Sequence, residues 1–184
     1  RASALEAKGV FSFVSRESGL VLNNIFLAVS CLVVFVGTMW PLFAEMFFDR
    51  KLSVGAPFFN LAFTPFMVAL GIFLPIGAML PWKRGRIGQT IKKLRYAFAL
   101  AIALAGLVWA MQTGKSLQGP IGLFLGAWIV FGASIDIYSR LGKTGDFRRL
   151  IRLPRSDWGK FFAHSGLGVT MFAIAGLMAW EQED

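Results

Sequence analysis

Charge is what this sequence lacks. Of its 184 residues only 16% are Asp, Glu, Lys or Arg, against about 25% in an average soluble domain. A surface facing water on every side needs more polarity than that, so a soluble globular enzyme is excluded. Cysteine is nearly absent: Cys31 stands alone in an apolar run, and one thiol builds no disulfide scaffold. Histidine is equally scarce, with His164 the only example. No metal-spaced Cys/His cluster and no Ser-His-Asp arrangement therefore emerge. A phosphate-cradling loop is missing as well, since Gly114-Lys115-Ser116 lacks the upstream glycine spacing. No short hydrophobic segment with a cleavage site opens the chain, so no cleavable signal is expected. The first residue is Arg1 rather than Met, and the chain is expected to be a piece of a longer membrane protein.

Apolar residues are abundant, at 56% of the total. They gather in five runs, residues 20–43, 61–80, 96–111, 119–138 and 161–180. About 20 apolar residues span the hydrocarbon core of a bilayer as a helix. The third run is short, but Lys92, Lys93 and Arg95 can snorkel back to the interface. Transmembrane strands alternate polar and apolar residues, and these runs do not. With no water to satisfy the backbone, each run must be helical. The expected fold is an all-α integral membrane protein, a bundle of five transmembrane helices within one polytopic domain.

The basic residues orient that bundle. Arg1, Lys8 and Arg16 precede the first run. Lys83, Arg84, Arg86, Lys92, Lys93 and Arg95 lie between the second and third, and Arg140, Lys143, Arg148, Arg149, Arg152, Arg155 and Lys160 between the fourth and fifth. The opposite side has only Arg50, Lys51 and Lys115. By the positive-inside rule the N-terminus is cytoplasmic and the C-terminus periplasmic. The same asymmetry explains the net charge of +9. These cations flank spans and lack an aromatic stacking platform, so they read as headgroup-facing loops on a lipid bilayer, with no nucleic acid partner. Trp40, Trp82, Trp109, Trp158 and Trp180 fall at the predicted interfaces as an aromatic belt.

Within the spans, Gly122 and Gly126 form a small-xxx-small pair suited to close packing inside the molecule. Pro65 and Pro75 are expected to kink the second run, Pro75 by freeing the carbonyl of Gly71. Asp136 lies four residues before Arg140 and reads as an interfacial ion pair. Cys31 reads as an inert small hydrophobe. His164 sits about one turn inside the cytoplasmic end of the fifth run. An ionisable group at that depth is a functional candidate, and neutral imidazole is a haem ligand. Its helical face continues through Gly168, Met171, Ala175 and Met178, and Gly168 leaves a flat opening where a planar macrocycle could lie. The alternative is an interfacial histidine bonded to a carbonyl or water, the commoner case.

Four segments carry a resemblance. They are Ser15-Arg16-Glu17-Ser18-Gly19-Leu20-Val21-Leu22-Asn23-Asn24, Gly37-Thr38-Met39-Trp40-Pro41, Ser53-Val54-Gly55-Ala56-Pro57-Phe58-Phe59-Asn60, and Trp158-Gly159-Lys160-Phe161-Phe162-Ala163-His164-Ser165-Gly166-Leu167-Gly168-Val169. In this order and spacing they resemble the CcmF family, the membrane haem lyase subunits of bacterial cytochrome c maturation, over roughly residues 9–181. The resemblance implies a multi-pass protein of the bacterial inner membrane that accepts haem from a CcmE-type periplasmic chaperone. With a CcmH-type thiol partner it would help attach that haem to apocytochrome c. It also implies an intramembrane haem b, thought to reduce the incoming haem, with His164 as one axial ligand to its iron and Gly168 and Met171 packing beside it. The outward loop with Pro57, Phe58 and Phe59 would face arriving haem, or would simply be a structured turn anchored at the interface. The tryptophan-rich haem-presenting segment and the other family histidines would lie upstream of Arg1, and a large periplasmic domain beyond Asp184. Ser165 stands where a larger apolar residue is expected. Competing readings are a paralogue dedicated to one cytochrome such as a nitrite reductase, a non-catalytic assembly scaffold and a transporter module.

The orientation is testable by labelling. In the full-length protein, a cysteine replacing Ser53 should react with an impermeant thiol reagent added from the periplasm, and one replacing Thr144 should not. Labelling of Thr144→Cys from that side would reverse the topology and move His164 to the other face.

Overall fold

The computed structural model describes residues 13–81, 87–111, 118–141 and 148–180. All seven elements among them are helices: α1 (Arg16–Phe48), α2 (Ala56–Ala62), α3 (Thr64–Met79), α4 (Ile87–Met111), α5 (Gln118–Ser139), α6 (Arg148–Ile151) and α7 (Arg155–Trp180). No strand occurs among the described residues.

Each boundary has a local cause. Ser15 caps α1 by accepting from the Ser18 amide at 3.2 Å, and Glu17 places a negative charge at the positive helix end. The Arg16 amide donates to the Pro81 carbonyl at 3.0 Å, tying the start of α1 to the chain just past α3. At its other end α1 stops at Asp49, in left-handed conformation with φ 50°. Pro57 lies in the first turn of α2, where its missing N–H costs nothing.

Among the described residues four helices are long and apolar enough to cross a membrane: α1, α4, and the segments Gly119–Ser139 and Arg155–Leu177 of α5 and α7. The second expected span differs. Pro65 does not kink a continuous helix; it stands in the first turn of α3, and the helix breaks at Phe63. Pro65 has no N–H to give the carbonyl of Leu61, so the α-helical ladder cannot run through. What remains is a 16-residue apolar helix, about 24 Å long at 1.5 Å per residue. The third run is longer than expected, because the helix carrying Lys92, Lys93 and Arg95 begins at Ile87 and has 25 residues. Pro75 does lie inside α3, and Pro41 lies inside α1.

The core sits where α4 and α5 meet, around Leu94, Ala97, Ala101, Ala127, Trp128 and Ile129. Trp128 is the tryptophan outside the interfacial set. It is buried, and its indole N–H donates to the Ile72 carbonyl on α3 at 3.1 Å. The Pro75 ring rests on Gly132, where an added Cβ would come within 2.6 Å of it. The tightest contact joins α5 to α7. A Cβ at Gly126 would lie 2.7 Å from both the Gly168 carbonyl and the Phe172 amide; one at Gly122 would lie 2.5 Å from the Ala175 side chain. The Gly122–Gly126 pair thus serves packing within the chain. In lipid no hydrophobic force draws apolar helices together, so close backbone approach through small residues supplies the attraction.

Alanine at Gly126 should therefore destabilise the detergent-solubilised protein by about 1–3 kcal/mol, the usual cost of overpacking against groups that cannot yield. Gly106, with nothing within 4 Å of its added Cβ, is the control. Gly106→Ala should be neutral or slightly stabilising in thermal unfolding.

Candidate functional site

Four charged side chains close one end of the α5–α7 pair. Asp136 on α5 is buried at 7% exposure. Its Oδ2 takes Lys160 Nζ of α7 at 2.5 Å and Arg140 Nη2 at 3.5 Å. Arg140 Nη1 in turn reaches Asp157 of α7 at 2.9 Å. The expected i,i+4 pair of Asp136 and Arg140 is thus part of a larger cluster linking two helices. Lys160 extends it to a third by donating to the Ala78 carbonyl of α3 at 3.4 Å. Ala78 belongs to the last turn of α3, whose carbonyls have no partner within the helix and welcome a cation. Asp157 lies in the first turn of α7, where a negative charge is favoured. From the sequence Lys160 belongs only to the charge asymmetry; its place four residues before His164 is the signal for more.

His164 is half-buried on α7, one turn beyond Lys160. Both line a cavity of about 360 Å³ between the start of α1 and α3, with Arg16, Leu22, Phe26 and Phe73 among its walls. That volume is at the lower end of small-molecule sites. A second cavity, of about 10 Å³, is bounded by His164, Asp136, Lys160, Pro75, Gly132 and Ala133, among others. No described residue hydrogen-bonds to the imidazole. An imidazole with no hydrogen-bond partner among the described residues, beside the apolar and aromatic walls of the larger cavity, fits a ligand to haem iron.

The other expected site residues divide. Gly168 does not open a flat space beside the imidazole. An added Cβ there would meet the Gly126 carbonyl and Val130 Cγ2 at 2.8 Å, so α5 fills that face. Met171 turns to α3 and the core, and its Cε would lie 3.7 Å from a Cβ at Gly71. Ser165 Oγ is buried with no hydrogen-bond partner among the described residues. Met178 and its side-chain contacts lie outside the described side chains. Pro57, Phe58 and Phe59 sit apart from His164, in the first turn of α2. The two rings meet edge to face at 5.3 Å between centroids and cover Gly37 of α1, where a Cβ would lie 2.7 Å from Phe58 and 2.9 Å from Phe59. Their demonstrable task is to seat α2 on α1, and Gly37 is the residue that makes room. Cys31 is exposed on α1.

Helices of membrane-spanning length, an ion cluster around the buried Asp136 and a histidine at an interhelical cavity define the class as an all-helical protein with four candidate membrane spans among the described residues. No family model matches the chain, and no solved structure matches it. Curated proteins do. The chain is 55% identical over 184 residues to the cytochrome c-type biogenesis protein ccl1 of Rhodobacter capsulatus, covering 100% of this chain and 28% of that protein. It is 40% identical over 188 residues to CycK of Bradyrhizobium diazoefficiens, with 100% and 28% covered. To CcmF of Escherichia coli it is 33% identical over 162 residues, with 88% and 24% covered. The chain belongs to the CcmF family of cytochrome c-type biogenesis proteins, and spans about a quarter of the length of these relatives.

Removing Lys160 strands the buried Asp136 carboxylate. Lys160→Met should lower stability by on the order of 3 kcal/mol in denaturant or thermal unfolding, and Lys160→Arg by much less. Equal stability of Lys160→Met and wild type would show that the cluster contributes nothing net.

Proposed function

We propose that this chain is part of a membrane haem lyase in cytochrome c maturation. Similarity to cytochrome c-type biogenesis proteins over the whole of this chain coincides with a single histidine at a cavity between membrane helices, and that coincidence carries the reading. The whole protein accepts haem from a CcmE-type periplasmic chaperone and, with a CcmH-type thiol partner, helps join it to apocytochrome c. In that reaction the thiols of a Cys-x-x-Cys-His segment add across the haem vinyl groups, which requires ferrous iron.

His164 would then be one ligand to the iron of an intramembrane haem b, a group that would supply the reducing electron when bound. Arg16, Leu22, Phe26 and Phe73 wall that side of the molecule. The second ligand would be a histidine elsewhere in the full-length protein, as the family resemblance implies, since His164 is the only histidine here. The helices lie in a bacterial inner membrane with five crossings, α2 and α3 jointly forming the second. Hydrogen bonds from the Phe63 amide to Phe59 and from the Met67 amide to Phe63 carry the chain through their break. The N-terminus lies in the cytoplasm and the C-terminus in the periplasm, a reading that the distribution of basic residues supports, with Phe58 and Phe59 on the side from which haem arrives.

The test is maturation in a bacterium whose own copy of the gene is deleted. Full-length protein with His164→Ala should give no mature c-type cytochrome although inserted at the wild-type level. Cys31→Ala, exposed and away from the cavity, should restore it fully. Normal cytochrome c yield from His164→Ala would refute the role assigned to this histidine.

A further inference from the structure

We propose that Asp136 is the positioning residue for His164, acting through one water held in the small cavity between them. This rests on the reading of His164 as a haem ligand and adds to it a residue on another helix. A histidine bound to a metal almost always gives its second ring N–H to a carboxylate, a carbonyl or a water, which fixes the ring and makes it a stronger donor. No described residue makes that bond to His164 directly. The cavity of about 10 Å³ that His164 shares with Asp136 and Lys160 is about the size one water needs, and it offers the polar partners such a water requires.

The geometry around Asp136 agrees. Lys160 and Arg140 both reach the same oxygen, Oδ2, and a carboxylate has room for further donors. Lys160 is already committed to Asp136 and to the Ala78 carbonyl, so it holds the carboxylate still rather than competing for the ring. Arg140 is braced in turn by Asp157. The carboxylate is thus locked by Lys160 of α7 and by Arg140 just past the end of α5 while facing the cavity His164 also lines. Structural support alone would not require the acid and the imidazole to share a water-sized space.

The hydrogen bond relayed from the carboxylate makes the imidazole a stronger donor and favours the oxidised iron, so its loss should raise the midpoint potential of the haem even at constant net charge. The experiment uses the full-length protein and the charge-balanced variant Asp136→Asn/Lys160→Gln, which removes one charge of each sign and leaves the Arg140–Asp157 pair intact. Its potential, from spectroelectrochemical titration, should rise. Its haem should pass to apomyoglobin with affinity weakened about 10- to 100-fold, the usual cost of losing outer support for a metal ligand. Ala133→Val keeps every charge but fills the cavity that Ala133 lines; it should move the potential the same way. Unchanged potential and haem retention in either variant, once inserted at the wild-type level, would overturn the proposal. Absence of haem b from the wild-type protein would instead overturn the functional reading beneath it.

Discussion

Backbone contact between α5 and α7 at Gly126 and Gly168 is the constraint on which the remaining geometry depends. Two helices approach this closely only where neither has a side chain in the way, and each of these glycines faces the other helix's main chain. In a hydrocarbon environment that approach is itself the source of cohesion. It brings Asp136 of α5 within reach of Lys160 and places Asp157 beside Arg140. Pro75 seated on Gly132 and Trp128 bonded to Ile72 then fix α3 against the same pair. His164 inherits its position from all three helices.

The charged cluster follows a logic that isolated surface ion pairs do not. Two acids and two bases balance, and the helix ends they occupy favour their signs, Asp157 at a start and Lys160 against a terminal carbonyl. Buried charge is expensive unless fully paired, and membrane interiors raise that cost. Such a cluster is therefore best understood through what it holds in place. By contrast α1 leaves most of its apolar length exposed, with Leu20, Ile25, Leu32 and Phe35 facing outward, as suits a helix against lipid or further protein.

Much of the helical content was legible because composition and run length leave a bilayer-embedded chain no other option. Gly122 and Gly126 declared their packing role through spacing alone. Three features were not legible. Pro65 looked like a kink because the sequence does not say that the helix begins there, where a proline is harmless. Gly168 looked like clearance for a ligand because one glycine cannot announce which helix will lie over it; its partner, Gly126, lies 42 positions earlier. Lys160 was absorbed into a charge count, since only the fold brings Asp136 and the end of α3 to meet it. Local pattern predicts faces and periods, whereas the identity of the neighbour across a face is a tertiary fact. For the same reason the sequence leaves Phe58 and Phe59 open between a haem-facing loop and an anchored turn, and only the fold lays both rings on Gly37.

The central claim is that the imidazole of His164 binds haem iron within the membrane. The most direct measurement is the dithionite-reduced absorption spectrum of purified full-length protein, wild type against His164→Ala, at equal protein concentration. Wild type should show the sharp bands of a six-coordinate haem b and the variant should lose them, because no other side chain on this stretch of α7 can replace the imidazole. An undiminished haem b spectrum in His164→Ala would contradict the claim and leave His164 a structural residue at the membrane interface.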